Sequence, residues 1–457
     1  MTAATDSSTR VVGLPSREAD DANGVPAYVW LFLGSLVFNM FSGYSNYLGF
    51  PIGPDRILFA GAVGLLLLDP RVERLRFKPV YVIMAVLVVW TACSALSHGV
   101  LLETAKAYAL LDRIIVPFLM FCLGPLIFST SRRRVMLLKT LCLIGIYLGL
   151  TAIFEIIGPH ALVWPSYIMD PNIGILFGRA RGPFASAEPN GMTMGLALFA
   201  SSILYTKLRG GWRRVALVGI VLSALGTILC LTRSVWLATI VALLVIGYLV
   251  PEIRRRLPAL IASFVGVVAF ILLAVPPIAN PLIERFTMES SLYDRQNTNA
   301  AGLRIVAESP IFGIGWGRYL DIGANWIRQA DTYPVTNINI EIHNTFLSRA
   351  AETGLPGALM WILCVALGPA LFLVVNRPAR SSERFVWWLM LIAATCYWFF
   401  PSMSSPNPYP LPNNLFWLIG GIVGRQLMVL PRADEIAAGV PEPTTAAAVV
   451  GSDEGEI

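Results

Sequence analysis

The stretch "RRRVMLLKTLCLIGIYLGLTAIFEIIG", Arg132 to Gly158, decides how the chain is built. Three arginines open it, Lys139 follows, and from there to Ile157 a single carboxylate, Glu155, interrupts an apolar run. About 20 apolar residues suffice for one helix to cross the hydrocarbon core of a bilayer. Lys and Arg collect at the cytoplasmic ends of such helices. A basic cluster followed by an apolar run of this length therefore reads as one membrane span with its orientation marked. The rest of the chain repeats the pattern. It is 56% hydrophobic and 14% charged, with a mean hydropathy of +0.67, where a soluble domain carries about 25% charged residues. The fold class that follows is an all-α polytopic membrane protein.

Twelve spans are expected, near 28–47, 56–70, 79–97, 108–129, 136–158, 189–207, 214–231, 234–251, 258–277, 355–375, 385–401 and 413–430. The basic residues fall in alternate gaps: Arg71 to Lys78, Arg132 to Lys139, Lys207 to Arg214, Arg254 to Arg256, and Arg377 to Arg384. One assignment satisfies every cluster, with both termini in the cytoplasm. The net charge of +6 is thus a topology signal rather than a footprint for nucleic acid. Residues 1–26 and 431–457 read as disordered cytoplasmic tails and 27–430 as the transmembrane domain. The polar N-terminus does not resemble a cleaved leader, so the first apolar run is expected to stay as an anchor.

The same topology puts two long segments outside, Pro159 to Glu188 and 276–354. Loops of that size usually carry function. In the second, a short helix is expected from near Asn299 to Pro310, with a glycine turn at Gly313, Gly315 and Gly317 after it. The six cysteines lie in or at the ends of apolar spans, and His98, His160 and His343 share no zinc-type spacing. No metal or other cofactor is expected. The loop carboxylates, Glu341 among them, read as a solvated acidic surface.

The informative residues are arginines on the outer side, together with one histidine. Arg233 sits in "LCLTRSVWLA", in a very short gap between apolar runs, where it either meets a ligand or snorkels to the lipid interface. Arg179 and Arg181 lie among glycines in "FGRARGPFASAEPNG", and Arg295 lies in the second loop, with Arg285 and Arg304 close enough in sequence to compete for its role. Guanidinium groups bind phosphate in bidentate fashion. His343 and Asn344 stand where the second loop returns to the membrane, ahead of Glu352 and Gly354. The histidine is an acid–base group or a structural one, and Asn344 either orients it or caps a helix. Trp316, Tyr319, Trp326 and Tyr333 suit either sugar stacking or anchoring at the interface. An anionic substrate presented from the outer leaflet fits this set, and a lipid-linked diphosphate fits best.

Four fragments in order, "GRARGPFASAEPNGMTMGLAL", "LTRSVWLA", "RQNTNAAGLRIVAESPIFGIGWGRY" and "HNTFLSRAAETGLPGALMW", resemble the O-antigen ligase and O-antigen polymerase superfamily of membrane glycosyltransferases. The resemblance implies a GT-C-like fold of about 12 transmembrane helices with a large extracytoplasmic loop. It implies transfer of glycan from an undecaprenyl diphosphate carrier to an acceptor hydroxyl on a glycan, lipid or protein, at the outer face of the cytoplasmic membrane. By the same resemblance His343 is the catalytic residue, Arg233, Arg295, Arg179 and Arg181 bind the diphosphate, and Asn344 and Glu352 support them. Ligases and polymerases share these motifs, so the acceptor is not legible. A transporter or flippase for lipid-linked sugars would also need arginines and many spans. It would want charge at mid-span depth, where these apolar runs carry almost none.

Overall fold

The computed structural model describes residues 24–274, 290–328, 340–375, 377–406 and 409–430. Residues 1–23 and 431–457 of the expected tails lie outside them, as do Arg285, Asp331 and Tyr333 of the long loop. Every regular element among the described residues is helical, and the strand-like pairing there is a single bridge between Leu75 and Val429. In chain order the principal helices are α1 (Ala27–Asn39), α2 (Pro54–Leu68), α3 (Pro79–Ser97), α4 (Thr104–Ile127), α5 (Ser131–Ile156), α6 (Ala187–Lys207), α7 (Gly211–Leu229), α8 (Arg233–Leu249), α9 (Pro251–Ala274), α10 (Ser290–Glu308), α11 (Thr345–Leu367), α12 (Glu383–Ser404) and α13 (Pro410–Met428).

Each of the twelve expected spans falls on one of these helices, and α10 lies in the long segment between α9 and α11. Six helices are long and apolar enough to cross a membrane: α3, α4, α5, α7, α11 with its continuation to Val374, and α12. Shorter apolar helices include α1 and α8. At 13 residues α1 rises only about 20 Å, so its short length, not its polarity, separates it from the six. The helix starts follow local chemistry. Thr130 and Ser382 cap α5 and α12 by accepting from the backbone N–H groups of Arg133 and Phe385. Proline opens α2, α3 and α13, where its missing N–H costs nothing.

Four of the five basic clusters meet at one end of the bundle. Glu383 at the start of α12 takes Arg134 of α5 at 2.9 Å and Lys207 of α6 at 3.5 Å. Arg425 near the end of α13 pairs with Glu73 between α2 and α3, and Arg384 reaches Gln426. The helices pack closely through small residues. A Cβ on Gly149 of α5 would stand 2.5 Å from the Leu222 carbonyl of α7, and one on Gly195 of α6 would stand 2.1 Å from the Tyr397 ring of α12.

At the opposite end, α10 and α11 are locked together through backbone. Gly354 breaks α11 with φ 74° and ψ 173°. The break frees main-chain groups, and the turn after α10 takes them. Leu355 N donates to Pro310 O at 2.7 Å, Ile314 N to Ala351 O at 2.9 Å and Gly315 N to Glu352 O at 3.1 Å. A Cβ at Gly354 would lie 2.0 Å from the Ile311 carbonyl oxygen. A small core of Ile305, Ile314, Tyr319, Ile342 and Ala351 closes around this junction. The helix in the long loop begins at Ser290, not near Asn299. The polar run from Asp294 to Asn299 hides its first turns from a hydropathy reading.

Alanine at Gly354 meets both an unfavourable φ and a backbone oxygen, so Gly354→Ala is expected to destabilise the purified protein by more than about 1 kcal/mol. Gly64→Ala, in α2 where nothing lies within 4 Å of the added carbon, is expected to leave the thermal midpoint unchanged or slightly raised.

Candidate active site

At the end away from the basic clusters, loops and helix starts enclose a cavity of about 480 Å³. Arg179, Arg295 and His343 all line it, although 48 to 164 positions separate them in the chain. Glu188 and Tyr409 join them on the wall. Four helices begin here. Ser186, Thr232 and Tyr409, the residues ahead of α6, α8 and α13, line the cavity, and none bonds its own helix start through its side chain. Asn344 precedes α11 and does cap it, accepting from Leu347 N at 3.1 Å. Helix N-termini carry unsatisfied N–H groups and partial positive charge, which favour an anion.

Arginine adds full charge to this arrangement. Burial pushes the Arg179 guanidinium down from its ordinary value, and the charges of Arg233 and Arg295 add to the effect. Burial does the same to Arg295; Glu188 opposes the shift and Arg233 reinforces it. Like charges so placed repel, and an anion among them relieves the repulsion. Glu188 compensates them in part. Its carboxylate accepts from Ser234 Oγ at 2.8 Å and from the Tyr409 hydroxyl at 3.2 Å, which hold it in place. Arg233 stands beside the cavity rather than on its wall, exposed at the first turn of α8. The preceding turn passes through Leu231 at φ 49°. Leu176 and Ala185, at φ 57° and 46°, border the same cavity. Left-handed backbone at residues other than glycine is costly and collects at functional sites.

Of the two neighbouring arginines in the first outer segment, only Arg179 faces the cavity. Arg181 is 0% exposed, and its guanidinium donates to the carbonyls of Ile168 and Ile173, each at 2.6 Å, and of Asp170 at 3.1 Å. Glu155 of α5 lies 3.6 Å from its Nε and accepts from the backbone N–H of Arg181 at 2.9 Å. The expectation of a diphosphate contact from Arg181 is corrected accordingly: this side chain folds the loop that presents Arg179. Of the competing loop arginines, Arg285 lies outside the described residues, Arg304 is turned to the Trp326 carbonyl at 2.6 Å, and Arg295 is on the cavity wall.

His343 has its Nδ1 2.9 Å from the Glu341 carbonyl oxygen. A carbonyl only accepts, so Nδ1 carries the proton and Nε2 keeps its lone pair. Burial pushes the imidazole below its ordinary value of about 6.5, and the Arg295 charge pushes it further, against the smaller pull of Glu341. The ring is therefore neutral at neutral pH. Glu341 is not part of a solvated acidic surface. Burial raises its carboxyl, but Arg113 on α4 more than offsets this and holds it below the usual carboxylate range. Asp321 pairs with Lys106 at 2.7 Å yet stays exposed.

The expected supporting residues take other places. Asn344 is the cap just described. Glu352 is buried on α11, 4.0 Å from Arg349, behind the loop that carries His343. Two of the loop aromatics, Trp316 and Tyr319, are not exposed for sugar stacking. Trp316 is fully buried under Arg349, whose guanidinium lies 4.6 Å from its ring, and Tyr319 belongs to the small core. Trp326 donates to Glu308 at 2.7 Å. His98 and His160 bond the helix-end carbonyls of Ser94 and Phe154. Among the described residues, no group of three His, Cys, Asp or Glu side chains is placed to hold a metal ion. Sequence reading missed Glu188, Tyr409 and Arg113. A carboxylate at a helix start after a Gly-Arg segment was the available signal for Glu188; nothing local marked the other two.

Residues 218–362 match the family model described as O-Antigen ligase. The matched stretch runs from α7 into α11 and holds Arg233, Arg295, His343, Asn344 and Glu352, whereas Arg179 and Arg181 precede it. The likeness to the O-antigen ligase and polymerase superfamily is thereby supported over that stretch. Among the described residues, six helices of spanning length and apolarity fit a multi-pass membrane protein. No curated protein matches the chain.

A base works in its unprotonated form, so activity that depends on His343 is full above the pKa of the ring and falls as pH drops through it. The acid limb of the kcat profile is expected below pH ~6.5. Arg295→Gln removes a positive neighbour, raises the ring's pKa and should move that limb to higher pH, whatever the variant's maximal rate.

Proposed function

We propose that the protein transfers glycan from an undecaprenyl diphosphate-linked donor to an acceptor hydroxyl, at the outer face of the cytoplasmic membrane. The observation that carries this reading is the meeting of Arg179, Arg295 and His343 on one cavity, at the end of the bundle opposite the basic clusters. All twelve apolar helices cross the membrane in this reading, in a GT-C-like arrangement. Both termini lie in the cytoplasm, as the alternation of basic clusters requires.

The reaction is an inverting displacement. His343 Nε2 takes the proton of the acceptor hydroxyl, and the oxygen attacks the anomeric carbon. The bond from that carbon to the diphosphate oxygen breaks on the far side, and the electron pair leaves with the diphosphate. Arg295 and Arg179 on the wall, Arg233 at the rim and the starts of α6, α8 and α13 neutralise the charge that grows there. Fixed donors aimed at developing charge are worth roughly 3–4 kcal/mol each. The carrier's chain stays in the bilayer, so its diphosphate rests near the membrane surface. His343, at the return of the loop into α11, stands at that depth. The acceptor is a glycan, a lipid or a protein, since ligases and polymerases share these residues. A flippase reading is less well supported, because Arg179, Arg295 and Arg233 gather around one cavity at one end of the bundle instead of lining a path through it.

Transfer is measured with purified protein and lipid-linked donor extracted from the source cells. His343→Ala is expected to lose about 10²–10⁴-fold in rate while still binding undecaprenyl diphosphate. Arg233→Ala and Arg295→Ala should lose activity with normal accumulation, and lysine should restore it only in part. Wild-type transfer by His343→Ala would end the general-base reading.

Reporter fusions test the topology separately. Fusions at Arg255 and Arg380 should report as cytoplasmic and fusions at Pro310 as external. A cytoplasmic Pro310 would overturn the outer-face mechanism.

A further inference from the structure

We propose that Arg113 is a positioning residue for the transfer reaction: through Glu341 it fixes the segment that carries His343 against α4. The proposal rests on the reading of His343 as the base. Arg113 lies where α4 widens into a π turn, Leu111–Ile115, a distortion that recurs at functional sites. Its guanidinium meets both oxygens of Glu341, Nη2 to Oε1 at 3.0 Å and Nη1 to Oε2 at 3.5 Å. Glu341 therefore binds Arg113 with its side chain and holds His343 Nδ1 with its carbonyl at 2.9 Å. A shift of the carboxylate moves the carbonyl, and with it the lone pair of Nε2.

The turn is itself held. Asp112, next to Arg113, takes Arg56 of α2 at 2.7 Å. Asp55, the neighbour of Arg56, accepts from Asn39 at 2.7 Å, and Asn39 lines the cavity of His343. Adjacent residues on a helix point in different directions, so Asp112 and Arg113 reach two different elements. The result is a fixed post between α2 and the histidine segment, built from the first third of the chain, which the family match does not cover.

The charges around His343 make the role separable from plain packing. Arg295 faces it from α10, Arg179, Glu188 and Tyr409 stand on the cavity wall, and Glu341 adjoins it in its own segment. Arg113, Arg349 and Glu352 lie behind Glu341. Removing Arg113 leaves the Glu341 carboxylate without its partner, two residues from the imidazole, and so favours the imidazolium. Replacing Glu341 by Gln removes the negative charge and favours the neutral ring.

The test is steady-state transfer across pH by the full chain in lipid vesicles, with Arg113→Gln, Arg113→Lys, Glu341→Gln and the exchanged pair Arg113→Glu with Glu341→Arg. Arg113→Gln is expected to lower kcat roughly 10- to 100-fold, the scale for displacing a reacting group by about 1 Å, with little change in KM for the donor. Its acid limb should move to higher pH, and that of Glu341→Gln to lower pH. Arg113→Lys should lie between wild type and Arg113→Gln, and the exchanged pair should recover part of the lost kcat. Wild-type kcat and an unmoved acid limb in Arg113→Gln would overturn the proposal. Should that variant fail to accumulate, Glu341→Gln decides: unaltered kcat and an unmoved limb there overturn it equally. An active His343→Ala would overturn the base reading, whereas an inactive His343→Ala beside a wild-type Arg113→Gln would overturn only the positioning role.

Discussion

The docking of the turn after α10 into the break at Gly354 is the contact on which the site depends. Backbone bonds from Leu355 to Pro310, Ile314 to Ala351 and Gly315 to Glu352 join two stretches that would otherwise be independent. One of them carries Arg295 and the other follows His343. Main-chain bonds fix a register that side-chain packing alone would leave free to slide. The break has to be glycine twice over, by its φ of 74° and by the 2.0 Å that a Cβ would leave to the Ile311 oxygen. Without this junction the arginine and the histidine would belong to separate loops.

Around the junction the electrostatics divide into two layers. On the cavity wall Arg179 and Arg295, with Arg233 beside them, face the carboxylates of Glu188 and Glu341. Glu341 is matched from behind the wall by Arg113, and deeper still Arg349 lies 4.0 Å from Glu352. A buried ion pair is weak support for stability, but breaking one by removing a partner typically costs about 3–5 kcal/mol. The paired layer thus resists rearrangement, while the arginines and helix starts of the wall favour an anion. Arg181 and Glu155 repeat the division on the other side, buried together under the loop that presents Arg179.

Sequence reading reached the scaffold because the scaffold is periodic. Each expected span falls on a helix, and four of the five basic clusters meet at one end of the bundle through Glu383 and Arg425. His343 stands out as one of three histidines, whereas Arg295 has Arg285 and Arg304 as rivals in the sequence; His343 and Arg295 line one cavity. What stayed hidden has no local signature. Arg179 and Arg181 differ by two positions, yet one faces a cavity and the other is sealed beneath it; only the path of the loop through Gly174, Gly178 and Gly182, all at positive φ, separates them. Arg113 and Glu341 are 228 positions apart, and nothing near either one announces the other. Trp316 and Tyr319 looked like exposed loop aromatics, whereas the loop has a core of its own that absorbs them.

In the proposed reading, one neutral histidine beside one anion site performs a single direct displacement at the anomeric carbon, with no covalent glycosyl intermediate. The stereochemistry of transfer tests that claim most directly. The anomeric configuration of the first sugar is read by NMR in the lipid-linked donor and again in the product formed by the purified protein. The account predicts that the configuration inverts. Retention would require two successive displacements, and with them a nucleophile on the cavity wall in place of a base.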